Sequence, residues 1–252
     1  MATISPPNCY DFAKQATTYM QKHLNLKEIA NPTTGGDYLT LTSSVHGNIG
    51  FFKVWLAEGN QVFQKMTYMR VHIAPIGLDA NLFWAFTSRD SIVPHFTCHY
   101  NQNPGGNLNF HVDLLPKLDG VFHPEYLSQY YRPLSPSFHQ AKDIVGFWAR
   151  PSEHQYLMSG WGLYGDALEA KPMGELQKVI MDYVTHYCAL TEFDLPNDKP
   201  NGEYLSKRHD LHLEKIFCRE SDPDSYRIMD ELLGKPMTDL MNKIHIKDGL
   251  PQ

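Results

Sequence analysis

The sequence predicts one α/β domain, a three-layer α/β/α sandwich around a central antiparallel sheet. Three observations carry that expectation. Alternating, β-prone segments crowd the middle of the chain, helical spacing of apolar residues occupies both ends, and no linker-like stretch interrupts the 252 residues. That length suits a single domain.

The elements follow in order. A helical pattern runs from Tyr10 to Ile29 with Phe12, Tyr19, Leu24 and Leu26 as its apolar members, and Gly35-Gly36 ends the region. Tyr38 to Val45, Gly50 to Leu56, Lys65 to Ala74, Leu82 to Thr87, Pro94 to Asn101 and Leu108 to Leu115 read as strands of a meander, joined by Gly, Asn, Pro and Asp turns. His123 to Tyr131 reads as a short helix, and Phe138 to Ala149 as a return to the sheet. Pro172 opens a helix in which Leu176, Val179, Ile180, Tyr183, Val184 and Tyr187 share one face. Glu203 to Arg219 gives another helix. The last begins at Asp222-Pro223, carries Ile228, Met229, Leu232 and Leu233, and stops near Gly234.

Composition narrows the function. Hydrophobic residues at 42% and charged residues at 20% suit a packed core rather than a disordered chain. A net charge of −6 argues against a nucleic-acid binder, and no apolar run is long enough to span a membrane. The start, Met1 to Pro7, has neither a basic region nor an apolar core, so neither a secretory signal nor a transit peptide is expected there. Cys9, Cys98, Cys188 and Cys218 are scattered with no Cys-x-x-Cys, which predicts reduced thiols and no iron–sulfur or zinc site. A soluble intracellular protein is expected, in the plastid stroma if the source is a plant or alga and in the cytoplasm otherwise.

Familiar catalytic fingerprints are absent. There is no Gly-x-Gly-x-x-Gly, no phosphate-binding Gly-x-x-x-x-Gly-Lys-Ser/Thr and no Gly-x-Ser-x-Gly. His95 and His99 have chelating spacing only on a helix; on a strand they stand roughly 13 Å apart. His209 and His212 could meet on a helix face, but the sequence offers no obvious third ligand, so no metal site is expected.

The clearest local pattern lies on two neighbouring strands. His95, Thr97 and His99 alternate with Phe96, Cys98 and Tyr100; beyond Asn103-Pro104-Gly105-Gly106, Asn109, His111 and Asp113 alternate with Phe110, Val112 and Leu114. A hairpin pairing His99 with His111 places Thr97 opposite Asp113 and collects a polar cluster on one sheet face. Tyr68, Arg70 and His72 form a similar set on an earlier strand. Such a face is either solvated or the floor of a pocket under the C-terminal helices. A 12% aromatic content fits a pocket for a large flat ligand.

Longer motifs add a family resemblance. Val93-Pro94-His95-Phe96, then His111-Val112-Asp113-Leu114-Leu115-Pro116-Lys117, then His123-Pro124-Glu125-Tyr126-Leu127 and Tyr130-Tyr131 resemble red chlorophyll catabolite reductase, which is similar in fold to the ferredoxin-dependent bilin reductases. Ala149-Arg150-Pro151-Ser152, Lys207-Arg208-His209-Asp210, and Ser221-Asp222-Pro223 with the helix to Leu233-Gly234 extend the likeness, which covers roughly Lys65 to Ile246.

The resemblance implies an enzyme that reduces an open-chain tetrapyrrole, such as red chlorophyll catabolite or biliverdin, held between the sheet and the C-terminal helices. It implies no bound cofactor: single electrons come from reduced ferredoxin, a 2Fe-2S protein, and protons from pocket side chains. The family's acidic proton donor falls on His99. A histidine can serve there, since its ordinary pKa is about 6.5. The histidine that some bilin reductases use on the preceding strand falls near Leu82. The second acid matches Asp222 in one alignment, and Asp210 or His209 in the other. Arg150 matches an arginine that holds a substrate propionate. Asp113, His111, Thr97 and Arg70 are further substrate-binding candidates, with a structural role equally open for Asp113. Lys207, Arg208, Lys215 and Arg219 are candidates for docking an acidic ferredoxin. The alternative is a tetrapyrrole-binding protein that lost catalysis when His99 replaced the acid.

Overall fold

The computed structural model describes residues 8–59, 62–145, 157–168, 173–195, 200, 202–248 and 250. Helix α1 spans Cys9–His23, and the side chain of Asn8 accepts from the Asp11 N–H at 2.8 Å to cap it. It ends earlier than the apolar spacing suggests. Asn25 adopts a left-handed φ of 52°, which asparagine tolerates better than most residues, and its amide donates to Glu58 O. The chain beyond is therefore strand β1, Leu26–Ile29, rather than the end of a helix.

Strands β2 (Leu39–Ser43), β3 (Gly47–Ala57), β4 (Phe63–Ile73), β5 (Leu78–Thr87), β6 (His95–Gln102) and β7 (Leu108–Leu115) follow. Helices α2 (Pro124–Tyr130) and α3 (Ser135–Val145) precede β8 (Leu163–Leu168), and helices α4 (Met173–Cys188), α5 (Gly202–Ile216), α6 (Pro223–Leu233) and α7 (Lys235–Ile246) complete the chain. All pairings are antiparallel. β1 and β2 share the outer edge of β3, and the order then runs β4-β5-β6-β7-β8.

The segment expected to return to the sheet from Phe138 is instead helix α3 as far as Val145. Phe138, Ala141 and Ile144 recur every three residues, which faces them together on a helix and splits them between faces on a strand. Strand β8 and helix α7 had no counterpart in the sequence reading.

The sheet is covered on both faces. α1 and α4, joined by α2 and α3, bury the larger core: Phe12, Ala16 and Met20 meet Phe83, Phe96, Cys98 and Phe110 of the sheet and Val179, Ile180 and Tyr187 of α4. Each of the Phe, Met, Val and Ile side chains among them contributes roughly 1.5–3 kcal/mol by leaving water. Helices α5 to α7 cover the other face through two smaller clusters, one around Phe52, Val54, Val71, Met241 and Ile244, the other around Trp84, Phe86, Leu213 and Phe217. All four cysteines are free thiols, with Cys9 and Cys98 buried. Among the described residues no helix is long and apolar enough to cross a membrane.

Candidate active site

The register of the sheet lays out the floor of the site. Phe52 pairs with Met69, Met69 with Leu82, Leu82 with His99, His99 with His111, and His111 with Tyr164. Because directly paired residues share a face, this is one transverse row across six strands. The neighbouring row runs Val54, Thr67, Trp84, Thr97 and Asp113. Both rows face α5 to α7.

Between this floor and those helices lies a cavity of about 240 Å³. Met69, Leu82, Trp84, Thr97, His99 and His111 line its floor, Leu157 and Met158 close one side, and Phe217, Asp222, Tyr226, Thr238, Asn242 and His245 form the roof. The His99 ring meets Trp84 edge-on at 5.1 Å between centroids and His111 at 5.5 Å. The sheet thus presents two adjacent imidazoles beside an indole. Asn101 also lines the cavity; it accepts from Asn81 N–H at 2.7 Å and donates to Asn109 at 2.8 Å, which fixes that end of the floor.

The roof is held by charge. Arg219 bonds Asp230 of α6 and Asp239 of α7, each at 2.6 Å, and ties the two helices together. Lys65, buried on β4, donates to the Ile244, His245 and Lys247 carbonyls and so caps the C-terminus of α7. Burial pushes its pKa down to about 8.

Each candidate has a definite place. His99, His111 and Thr97 line the floor as the hairpin register implies, and Asp222 lines the roof. Asp222 also begins α6, where its carboxylate accepts from the Ser225 N–H at 3.3 Å and the Ser225 hydroxyl at 2.9 Å. Among the described lining residues it is the one carboxylate, and none is Lys or Arg.

Asp113 stands behind the cavity. It is fully buried, accepts from the Ser159 N–H at 2.8 Å and the Ser159 hydroxyl, and so pins the turn that carries Leu157 and Met158 into the wall. Burial, only partly offset by the Ser159 and Leu114 hydrogen bonds, pushes its pKa up to about 7.

Three candidates lie elsewhere. Arg70 is on the opposite sheet face, since it alternates with the cavity-lining Met69; its guanidinium bonds Asp79 at 2.9 Å and stacks over Tyr10 at 3.8 Å. Asp210 is paired with Arg89 on the α5 surface. His209 is buried below it, 3.4 Å from Asp248, with its ring 5.0 Å from His95. Arg150 lies outside the described residues. Of the docking candidates, Lys207 and Lys215 are exposed, Arg208 is half-buried, and Arg219 is committed to its two carboxylates.

The fold brings His95 to the His209–His212 pair, supplying the third histidine that the sequence did not reveal. The tautomer of His95 opposes metal binding: its Nδ1 accepts from Thr87 N–H at 3.1 Å, which leaves the proton on Nε2 and no free lone pair on the ring. His212 Nε2 donates to Leu157 O at 3.0 Å, which leaves its Nδ1 as the acceptor. Burial, with Lys117 nearby, holds His95 well below its ordinary pKa and pushes His209 to about 3; burial pushes His212 to about 4. Among the described residues no group of three His, Cys, Asp or Glu is arranged to hold a metal ion.

His245 and Trp84 went unremarked in the sequence reading. A signal for His245 exists: Met237, Leu240, Met241, Ile244 and His245 follow helical spacing after Gly234, with Pro236 in the first turn.

No protein-family model matches the sequence, and no curated protein matches it. Among solved structures, the architecture matches phytochromobilin synthase from tomato, determined in complex with biliverdin. The TM-score is 0.72 over 96% of this chain and 85% of that one, at 11% sequence identity. The chain shares the phytochromobilin synthase fold. At that identity the match speaks to fold, and it agrees with the sandwich and the antiparallel sheet that the sequence predicts.

Proposed function

We propose that this chain is a ferredoxin-dependent reductase of an open-chain tetrapyrrole. The observation that carries the reading is the cavity itself: two imidazoles and an indole on the sheet face one carboxylate on the helices, in the fold of a protein solved with biliverdin. Apolar and aromatic side chains such as Met69, Leu82, Trp84, Phe217 and Met241 make up much of the rest of the lining, with neutral polar groups such as Thr97, Asn101 and Asn242 among them, a mixture that suits a large flat ligand with a polar edge.

Each two-electron reduction consumes two electrons, delivered singly by two reduced ferredoxins, and two protons. His99 on the floor and Asp222 on the roof are the proposed donors, and His111 beside His99 orients it or shares its proton. Thr97 and the wall fixed by Asp113 position the ligand. Arg150 remains the proposed propionate partner, a role consistent with the absence of Lys and Arg from the described lining. Lys207 and Lys215 offer positive charge to an acidic ferredoxin, and Lys215 precedes Ile216 and Phe217, which line the cavity.

The test mixes the protein with biliverdin and with red chlorophyll catabolite, each with and without a ferredoxin-reducing system. Ferredoxin-dependent bleaching of either pigment supports the reading. His99→Gln keeps size and polarity but cannot titrate, so binding should persist while reduction slows by about 10²–10⁴-fold, the usual weight of a general acid. Turnover driven by NADPH alone, or wild-type rates in His99→Gln, defeats the corresponding part. Tight binding with no reduction of either pigment supports the second reading, a tetrapyrrole-binding protein, which the histidine in the acid's place favours.

A further inference from the structure

The roof of the cavity holds an imidazole that neither the fold nor the proposed proton donors account for. His245 lies in the last turn of α7, lines the cavity, and is 4% exposed. Its ring stacks on Phe217 at 4.3 Å and leans on Trp84 at 4.6 Å and Phe52 at 5.3 Å. Neither ring nitrogen has a hydrogen-bond partner, and both are shut off from solvent. Burying one unpaired polar group costs about 1–3 kcal/mol. A phenylalanine would pack in this aromatic nest without that penalty.

The placement is enforced. Lys65 binds the His245 carbonyl at 3.1 Å together with the carbonyls of Ile244 and Lys247, and locks the turn that carries the ring. Trp84 touches both His99 and His245, so the indole is flanked by one imidazole from the floor and one from the roof.

We infer that His245 is a ligand-binding residue whose imidazole, neutral in the aromatic nest, hydrogen-bonds a neutral lactam or pyrrole nitrogen edge of the tetrapyrrole. Resting on the reading above, this adds a recognition group distinct from the proton donors. A neutral imidazole offers one donor and one acceptor on separate ring nitrogens, so it can either donate to a lactam carbonyl or accept from a lactam or pyrrole N–H. Burial, with Lys65 and His99 nearby, disfavours the imidazolium that a propionate would need.

The experiment titrates biliverdin by absorbance into the wild type, His245→Phe and His245→Gln, and records thermal unfolding of each without ligand. His245→Phe should raise Kd at least about 10-fold, the weight of one buried hydrogen bond. Its ligand-free Tm should stay level or rise, because two unpaired nitrogens are gone. His245→Gln should hold Kd within about 3-fold, since the amide also donates and accepts. In the wild type, the imidazole ¹⁵N resonances missing from His245→Gln should shift when biliverdin is added, a readout that does not depend on the Phe variant folding. Wild-type affinity in His245→Phe, unmoved ¹⁵N resonances, or loss of affinity in both variants with a lowered Tm overturns the inference and leaves a packing role. If the wild type does not bind biliverdin, the same titrations are run with red chlorophyll catabolite; failure to bind either pigment overturns the tetrapyrrole reading, and this inference with it.

Discussion

Replacing Asp113 by asparagine should flatten the pH dependence of folding between about pH 4 and pH 7. In the folded chain the carboxyl has no exposed surface, and burial raises its pKa to about 7. In the unfolded chain it titrates near 3.9. Between those values the folded state holds a proton that the unfolded state has released. The stabilisation from this group is therefore complete below about pH 4 and is lost as pH rises through about 7. Three units at about 1.4 kcal/mol each give a change of order 4 kcal/mol. Asparagine keeps an acceptor for the Ser159 N–H and offers its amide hydrogens to the Ser159 hydroxyl, so the turn remains pinned. The assay is urea unfolding of wild type and Asp113→Asn at about pH 4, 6 and 8. The wild-type stability minus that of the variant should fall by about 4 kcal/mol across the series. Parallel curves would refute the reasoning, because they would mean that two hydrogen bonds from Ser159 suffice to keep a buried carboxylate ionised.

Other outcomes follow from the same geometry. Asp222→Ala removes the α6 cap and should cost about 1 kcal/mol of stability, whereas Asp222→Asn keeps the cap; a proton role then shows as lost turnover in Asp222→Asn with an unchanged unfolding curve. Arg70→Ala should leave biliverdin affinity within about twofold, since the side chain is on the far face; a large loss would place a ligand group on that face. Lys215→Glu should weaken ferredoxin-supported turnover most at low salt and leave pigment binding intact; an effect independent of ionic strength would remove α5 from the docking surface.

The legible part of the site was the β6–β7 hairpin. Its polar and apolar residues alternate from His95 to Asn101 and from Leu108 to Leu114 on the two sides of a Pro-Gly-Gly turn; a period of two excludes every odd slip if Phe96, Cys98, Phe110 and Val112 are to share a face, and the short turn chooses among the registers that remain. His99, His111, Thr97 and Asp113 came with it. Arg70 misled for the same reason: alternation puts Tyr68, Arg70 and His72 on one face but does not say which. The face is decided by Met69, which pairs with Leu82 in the His99 row, and that pairing is long-range information. Phe138 to Val145 failed on composition. Phe, Ile and Val favour strands, but the three-residue spacing of Phe138, Ala141 and Ile144 allowed α3 to pack on α4.

His245 was hidden by a different cause. Its helix follows Gly234, which looks like an end, and Gly234 does end α6: its N–H bonds Asp230 O at 2.9 Å. The same glycine, at φ 81°, also starts α7. A positive φ turns the chain sharply enough to lay α7 beside α6, and Arg219 then holds the two through Asp230 and Asp239. Only after that turn does helical spacing aim an imidazole at the sheet, and only the buried ammonium of Lys65, 180 residues earlier, keeps it there. A local pattern can state which residues share a helix face. What that face meets depends on a glycine turn, a two-acid clamp and a distant lysine acting together, and this is why the β6–β7 part of the floor was readable from the sequence and the α7 part of the roof was not.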